Sequence, residues 1–223
     1  NESGITTRIL TFAQVVTRRM WGGTAQISVV MSTMMGGVSG SATADAAMET
    51  RLLAPEMMRR GYSKGYIVAV NCLTAMITAT IPPSLGLIIY GFVGEVSIGR
   101  LFVAGIVPGV LMMVFLMVTT IITCKKHGSG PPQKDAKRLT LREFWVSFKG
   151  SIWALIFPII LIVGLRMGVA TPSEAGAYCI VYAIIIGVFV YKELTWKKFY
   201  ACLTTAVMDT AAVMLLITMS GPF

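Results

Sequence analysis

Long apolar stretches separated by short polar ones make up most of the chain. A helix needs roughly 20 apolar residues to cross the hydrocarbon core of a bilayer. The stretch 97–124 is the clearest of this kind, and it carries Gly105 and Gly109 at the spacing that lets two helices pack closely. The pattern therefore predicts an all-α, polytopic membrane protein. Its predicted full spans are 97–124, 144–166, 173–191 and 200–219.

Two other segments, 22–38 and 42–59, are shorter and less hydrophobic than these spans. They are joined by the glycine-rich letters GGVSGS. Irregular backbone at membrane depth is tolerated only where protein buries it or water reaches it. We therefore expect a re-entrant helical hairpin over residues 22–60, with its tip inside the bilayer.

The apolar segment 64–92 is interrupted by the letters IPPS. Pro82 and Pro83 have no backbone N–H group, and each disfavours helical geometry in the residue before it. The pattern therefore predicts a discontinuous helix, which runs over 64–80 and resumes over 84–92. Carbonyl groups one turn before the prolines lose their usual helical partners, so we expect a bound ion, a water or the hairpin tip to compensate.

The remaining segments are amphipathic or polar. Residues 1–21 mix basic and apolar positions, which favours a helix that lies at the membrane interface or packs on a neighbour. Residues 125–143 are rich in charge, glycine and proline, and we interpret them as a linker. Helix starts are predicted at Ser63, from its capping hydroxyl, and at the capping boxes Thr140 with Glu143 and Thr171 with Glu174.

Composition and charge exclude several classes of protein. Of the 223 residues, 55% are hydrophobic and 13% are charged, about half the charged share of a soluble domain. The net charge of +9 lies in loops between apolar segments, which is typical of cytoplasmic loops and does not form a nucleic-acid-binding stripe. One histidine and four scattered cysteines show no metal-ligand or redox spacing, so neither an enzyme nor a disulfide framework is expected.

Three stretches, in this order and spacing, resemble one transporter family. They are GGVSGSATADAAMETRLLAPEMMRRGYSKGYIVAV, IPPSLGLIIYGFVGEVSIGRLFVAGIVPG and TPSEAGAYCIVYAIIIGVFVYKELTWKKF. The resemblance is to the large, DctM-like membrane subunit of tripartite ATP-independent periplasmic (TRAP) transporters, and it covers nearly all of the chain. It implies a sodium-coupled, elevator-type importer of organic anions in the bacterial inner membrane. The implied partners are a small membrane subunit and a periplasmic substrate-binding protein.

The resemblance also implies a domain organisation. The family's large subunit is longer and has two inverted repeats, so this chain is expected to be the late part of the first repeat and the start of the second. The expected segments are an amphipathic helix over 1–21, a transport-domain segment over 22–124, a cytoplasmic linker over 125–143 and the start of the second repeat over 144–223.

The hairpin tip and the helix break carry the candidate chemistry. A helix that ends near Val38 presents free carbonyl groups, and a helix that starts near Ser41 presents N–H groups and a positive dipole end. Carbonyls and hydroxyls suit sodium, the expected coupling ion, and amides suit the carboxylate of a dicarboxylate, keto acid or sugar acid such as sialic acid. No other cofactor is expected. The predicted substrate contacts are Ser39, Ser41, Thr43 and Ser84, and the predicted sodium contacts are Gly37, Ser39, Gly40, Ala79, Thr80 and Pro82.

Plainer interpretations of the same residues stay open. The tip glycines can serve close helix packing or a turn. Asp45 can contact a cation, or it can simply be an acid that the helix dipole stabilises in the first turn of its helix. Glu49 and Arg51 can line a polar cavity, and Asp45 and Glu49 are predicted as possible polar support. His127 lies in a basic loop, where no catalytic or metal role is expected.

Other functions are also considered. A membrane enzyme would need a nucleophile–base pair or a ligand cluster, and a purely structural subunit would not need a glycine-rich tip and a double-proline break. The alternative that we retain is an elevator carrier or exchanger for organic anions that works without a binding protein.

Overall fold

The computed structural model describes residues 5–128, 130–131, 171–191 and 194–220, together with single residues or pairs between 145 and 164. In this described part, every regular element is a helix. The predicted linker, the Thr140–Glu143 capping box and most of the predicted span 144–166 lie outside it. The helices are α1 Ile5–Thr17, α2 Gly23–Gly36, α3 Ala42–Arg59, α4 Lys64–Thr80, α5 Leu85–Val93, α6 Ile98–His127, α7 Pro172–Ile185, continued by a π-helical turn Ile186–Val190, and α8 Trp196–Ser220.

Apolar helices long enough to cross a bilayer are present, as the hydrophobic pattern predicts. Ile98–His127 has a mean hydropathy of 2.6 over its best window, and Ser173–Val190 has 1.9. Helices α4 and α5 are bent by 48° at the break between them and qualify as a third span if they are taken together. The prediction of an all-α membrane protein is therefore confirmed.

The hairpin helices α2 and α3 pack against each other and against α4. Ser28 of α2 contacts Thr74 of α4, and Ser32 contacts Thr78 one turn further along. Helices α2 and α4 therefore run in the same direction, and α3, which returns from the tip, runs opposite to both. As a result, the hairpin tip lies beside the end of α4.

A hydrophobic core holds the helices together at the end of the bundle that is remote from the tip. It includes residues from α1, α2, α3, α4 and α6, which ties the amphipathic first helix to the hairpin. The first helix packs on its neighbours, since Ile9 and Ala13 are completely buried, and its predicted position at the membrane interface stays a prediction. The buried members of the core are Ala13, Ala25, Ile27, Leu53, Met57, Tyr62, Ile67, Val70 and Cys124.

Helix α6 packs on the break through its two predicted small residues. A Cβ added at Gly105 would lie 2.6 Å from the carbonyl oxygen of Thr80, and one added at Gly109 would lie 2.5 Å from Cγ1 of Ile81. Gln26 of α2 also reaches α6, where its Nε2 donates to the carbonyl oxygen of Met117 at 2.8 Å. The close-packing face predicted from the glycine spacing is confirmed, and it holds the end of α4 in place.

Side chains cap the helices where the sequence predicts it. The Ser63 hydroxyl accepts from the N–H of Tyr66 at 3.3 Å, at the start of α4. Thr171 and Glu174 form the predicted capping box, in which the Glu174 carboxylate accepts from the Thr171 N–H at 2.7 Å. These bonds satisfy N–H groups that the first turn of a helix leaves without partners.

Replacing Gly105 by alanine should destabilise the protein, because the new methyl group meets backbone that cannot swing aside. Overpacking of this kind typically costs about 1–3 kcal/mol. Gly65→Ala is the matched control, since a Cβ at Gly65, also in a helix, meets nothing within 4 Å. Thermal unfolding of the full-length permease in detergent should show a lower midpoint for Gly105→Ala only. Equal midpoints for the two variants would contradict the packing described here.

Candidate functional site

The hairpin tip closes directly onto the break between α4 and α5. The N–H of Leu85, the first residue of α5, donates to the carbonyl oxygen of Gly40 at 3.3 Å. Two helices, α2 and α4, end at this point, and two others, α3 and α5, begin there. We call residues 37–41 and 81–85 the tip–break junction. The junction therefore collects two carbonyl-bearing helix ends and two N–H-bearing helix starts.

Glycine is required in the tip for a geometric reason. Gly40 has a φ of +63°, a left-handed conformation, and a Cβ there would collide with the carbonyl oxygen of Pro83. A Cβ at Gly36 would lie 3.0 Å from Cβ of Ile81. The glycines thus allow the backbone of the tip to touch the backbone of the break.

The serine after the prolines supplies one of the hydrogen bonds that the break removes. Pro83 offers no N–H to the carbonyl of Ala79, and the Ser84 hydroxyl donates to that oxygen instead at 2.5 Å. Ser84 is completely buried, and its Oγ also accepts from the N–H of Leu87 at 3.4 Å. At Ala79, a side chain of the break itself therefore supplies a donor that the sequence analysis did not foresee, and the predicted contact of Ala79 with sodium stays a prediction.

The predicted substrate residues lie on or near the junction with different exposures. Ser39 and Thr43 are exposed, and Ser41 is half-buried. The Ser41 hydroxyl accepts from the N–H of Ala44 at 3.4 Å and so caps the start of α3. Its Oγ lies 3.3 Å from Oγ1 of Thr43, so these two hydroxyls stand side by side.

The predicted sodium residues differ in their surroundings. Gly37, Gly40 and Pro82 are buried in the junction. Thr80 instead directs its hydroxyl to the carbonyl oxygen of Met76, 2.9 Å away. The structure thus brings the tip and the prolines together. The Thr80 hydroxyl is engaged within its own helix, and the Thr80 carbonyl oxygen, which was the atom predicted to contact sodium, lies at the contact with Gly105 of α6.

A buried polar cluster lies within α2, α3 and α4, next to the junction. Glu49 is completely buried, and its Oε1 accepts from the Ser32 hydroxyl at 2.7 Å. Its Oε2 accepts from the hydroxyl of Ser28 and from that of Thr74, the latter at 3.2 Å. The Glu49 carboxylate therefore has hydroxyl donors on both oxygens.

Asp45 lies one helical turn closer to the tip than Glu49. Its Oδ2 is 2.5 Å from the Thr78 hydroxyl, and its Oδ1 has no hydrogen-bond partner among the described residues. The side chain is only 1% exposed. Asp45 therefore lies in the interior of the helix bundle. Besides its place in the first turn of α3, it contacts a side chain of α4.

Hydroxyl and amide groups complete the shell around the two carboxylates. Asn71 is completely buried; its Nδ2 donates to the Thr50 hydroxyl at 3.1 Å, and its Oδ1 lies 3.3 Å from Ser28 Oγ. Within the described ranges, no lysine, arginine or histidine nitrogen lies within 4.0 Å of either carboxylate, and no three metal-ligating side chains come together. The cluster thus suits a proton or a hard cation better than a transition metal.

The sequence analysis did not single out the shell residues, although a signal for them exists. Ser28 and Ser32 are one turn apart on α2, and Asn71, Thr74 and Thr78 recur along one face of α4. Polar residues at helical spacing inside an apolar segment indicate a shared polar face. That spacing could have identified them as facing a polar partner.

Comparison with known proteins gives consistent matches. Residues 1–223 match the family model described as "Tripartite ATP-independent periplasmic transporter, DctM component". The chain is 36% identical over 97% of its length to the sialic acid TRAP transporter permease protein SiaT of Haemophilus influenzae, and covers 35% of that protein.

Two further relatives are large permease proteins. The chain is 36% identical to the sialic acid TRAP transporter large permease protein SiaM of Vibrio cholerae and 35% identical to the 2,3-diketo-L-gulonate TRAP transporter large permease protein YiaN of Escherichia coli. Each match covers 97% of this chain and 50% of the relative, so the chain spans about half the length of these two proteins. The chain therefore belongs to the DctM component family of tripartite ATP-independent periplasmic transporters, whose members are membrane permeases and not enzymes.

Proposed function

We propose that the protein containing this chain is a secondary transporter that imports organic anions across the bacterial inner membrane, driven by sodium. The observation that carries the proposal is the tip–break junction, where four helix ends meet. Helix starts carry partial positive charge and attract anions, and helix ends present carbonyl oxygens that suit a hard cation. One junction thus offers both kinds of site.

The groups that suit an anion and the groups that suit a cation come from different parts of the junction. Helix α3 begins after Ser41, with exposed hydroxyls at Ser39 and Thr43 nearby. Free N–H groups and hydroxyls of this kind suit the carboxylate of a substrate. The ends of α2 and α4, with Gly37 and Ile81, offer the carbonyl oxygens, which suit sodium because it is a hard, monovalent ion.

We propose an elevator-type movement for the same unit. Helices α2, α3 and α4 are joined by the buried polar cluster and by a common hydrophobic core, which favours movement as one body. The proposed partners are a small membrane subunit and a periplasmic substrate-binding protein, in line with the tripartite family. The relatives named for sialic acid and 2,3-diketo-L-gulonate support an organic acid as the class of substrate.

Uptake by the full-length permease tests the proposal. The permease, with its small subunit, is reconstituted in proteoliposomes and supplied with a panel of organic acids. Uptake of at least one acid should require an inward sodium gradient and the cognate binding protein. Sodium-driven uptake that needs no binding protein would favour the alternative of an independent carrier, and absence of sodium dependence for a transported acid would contradict sodium coupling.

Gly40→Val should abolish uptake while membrane insertion is retained. The valine side chain would collide with the Pro83 carbonyl and separate the tip from the break. Gly61→Val is the matched control, because Gly61 also has a positive φ, of +82°, but a Cβ there meets nothing within 4 Å. Both variants carry backbone strain of about 1–2 kcal/mol. Uptake by Gly40→Val equal to that of Gly61→Val would refute a role for the junction.

Pro82→Ala combined with Pro83→Ala should raise the sodium concentration for half-maximal uptake. The double variant restores two N–H groups, so α4 can continue past Thr80 and its carbonyl-bearing end is lost from the junction. Pro108→Ala in α6 is the control, since it removes a helical proline outside the junction. If the break is only a packing kink, the double variant lowers stability and leaves the half-maximal sodium concentration unchanged, and that result would defeat the sodium assignment.

A further inference from the structure

A cavity of about 510 Å³ lies between α1, α2 and α3, at the end of the bundle that is remote from the tip–break junction. Its wall combines a polar and an apolar surface. The polar part carries two arginines, Arg18 and Arg60. The apolar part is made by aliphatic side chains of all three helices, which are Leu10, Val15, Ile27, Leu52 and Leu53. A cavity with both surfaces suits a molecule that is itself amphipathic.

The two arginines of the cavity each belong to an adjacent pair in the sequence. Arginines occupy positions 18 and 19, just after α1, and positions 59 and 60, at the end of α3. One member of each pair lines the cavity, whereas Arg19 and Arg59 are exposed and lie outside its wall. The fold therefore brings one guanidinium group from each of two separate helix ends to the same space.

Positive charge exceeds negative charge in the described wall of the cavity. Its carboxylate is that of Glu56, whose Oε1 accepts from Nε of Arg60 at 2.7 Å. An arginine has five N–H donors, and this bond uses one of them. Two guanidinium groups thus stand against one carboxylate among the described residues of the wall.

The start of α2 also contributes to the cavity. Its first residues, Gly23 and Thr24, line the wall, and Gly22 before them has no side chain to cap the helix. N–H groups at a helix start carry partial positive charge. The Thr24 side chain is only 2% exposed, and its Oγ1 has no hydrogen-bond partner in the described part of the chain. A buried hydroxyl without a partner is costly, and an acceptor oxygen of a bound molecule can remove that cost.

The surroundings of the cavity indicate which membrane surface it faces. The N–H of Gly22 donates to the carbonyl oxygen of Gly130 at 2.9 Å, so the start of α2 lies beside the end of α6. Basic residues gather at this end of the bundle, namely Arg18, Arg19, Arg59, Arg60, Lys64, Lys125 and Lys126. The positive-inside rule indicates that such an end faces the cytoplasm, where the leaflet carries anionic lipids.

We propose that this cavity binds an anionic phospholipid, with Arg18 and Arg60 at its phosphate group and the aliphatic wall against its acyl chains. Basic pockets between helices on the cytoplasmic side of a membrane suit lipid headgroups. Arginine suits a phosphate because its planar group can donate two parallel hydrogen bonds. The apolar part of the wall favours a lipid over a free phosphate ester. The bound lipid joins α1 to the two hairpin helices, and the proposal does not depend on any transported substrate.

Lipid titration of the full-length permease tests the site without transport. The permease is freed of lipid in detergent and titrated with dioleoylphosphatidylglycerol, dioleoylphosphatidylcholine or glycerol phosphate, while the midpoint of thermal unfolding is measured. The anionic lipid should raise the midpoint at lower concentrations than the zwitterionic lipid does. An equal effect of the two lipids would overturn the proposal. An effect of glycerol phosphate as large as that of the anionic lipid would overturn it in favour of a free phosphate ester.

The neighbouring arginines supply matched controls. Arg18→Gln and Arg60→Gln should each weaken the apparent affinity for the anionic lipid about fivefold, which is the effect of one basic residue at an anionic lipid surface. Arg19→Gln and Arg59→Gln remove the same charge from the same helix ends, outside the cavity, and should leave the affinity unchanged. An equal loss in all four variants would indicate attraction by net charge alone and contradict a site, as would no loss in any of them.

Further variants keep the test valid if the loss of Arg60 prevents folding. Glu56→Gln removes the carboxylate of the wall and keeps an acceptor for Arg60, so the affinity for the anionic lipid should rise. Thr24→Val should lower the affinity. Thr17→Val is its matched control, because the Thr17 hydroxyl, on the same wall, already donates to the Ala13 carbonyl oxygen at 2.8 Å. An affinity that does not rise in Glu56→Gln, or equal affinities of the two valine variants, would contradict the proposed site.

Discussion

The rest of the structure depends on one constraint, which is that backbone polar groups inside a membrane must find partners within the protein. Four helices stop or start at the tip–break junction, and each leaves N–H or carbonyl groups without helical partners. The protein meets part of this demand with its own groups, because Leu85 donates to Gly40 and Ser84 donates to Ala79. The backbone groups that remain at these helix ends are the ones that the proposed function assigns to sodium and to the substrate anion.

The buried polar cluster gives the junction a fixed base. Hydroxyls from α2 and α4 converge on two acids of α3, so the three helices are held in one register beside the tip. A slip of any helix would leave a buried acid without its donors, which is far more costly than a small change in apolar packing. Helix α6 adds a second restraint through Gly105 and Gly109, which admit the end of α4 at backbone contact. The buried polar cluster and the glycine contact of α6 therefore both fix the position of the junction, and neither contact tolerates a large displacement.

Much of this arrangement could be predicted from the sequence, because glycine, proline and capping residues act locally. The double proline predicts the break after Thr80, and the spacing of Gly105 and Gly109 predicts a close contact of α6. The spacing of Ser28 with Ser32 and of Thr74 with Thr78 indicates polar faces on α2 and α4, but their pairing with Glu49 could not be predicted, because that spacing does not give the register between helices. The bond from Ser84 to Ala79 was missed for a related reason, since it depends on how the chain turns within the break. The resemblance to a family identified the class of protein, but only the structure shows that these side chains form one buried cluster.

Hydrogen–deuterium exchange of the full-length permease, measured with sodium and with potassium at equal ionic strength, tests the central claim most directly. If the junction binds sodium, backbone amides in peptides covering residues 36–44 and 81–88 should exchange more slowly in sodium than in potassium. Peptides from the middle of α6, which lies outside the junction, should exchange equally in both salts. Protection at the tip and the break together is the result that the account predicts. Sodium-dependent protection elsewhere, with none at these two segments, would contradict it.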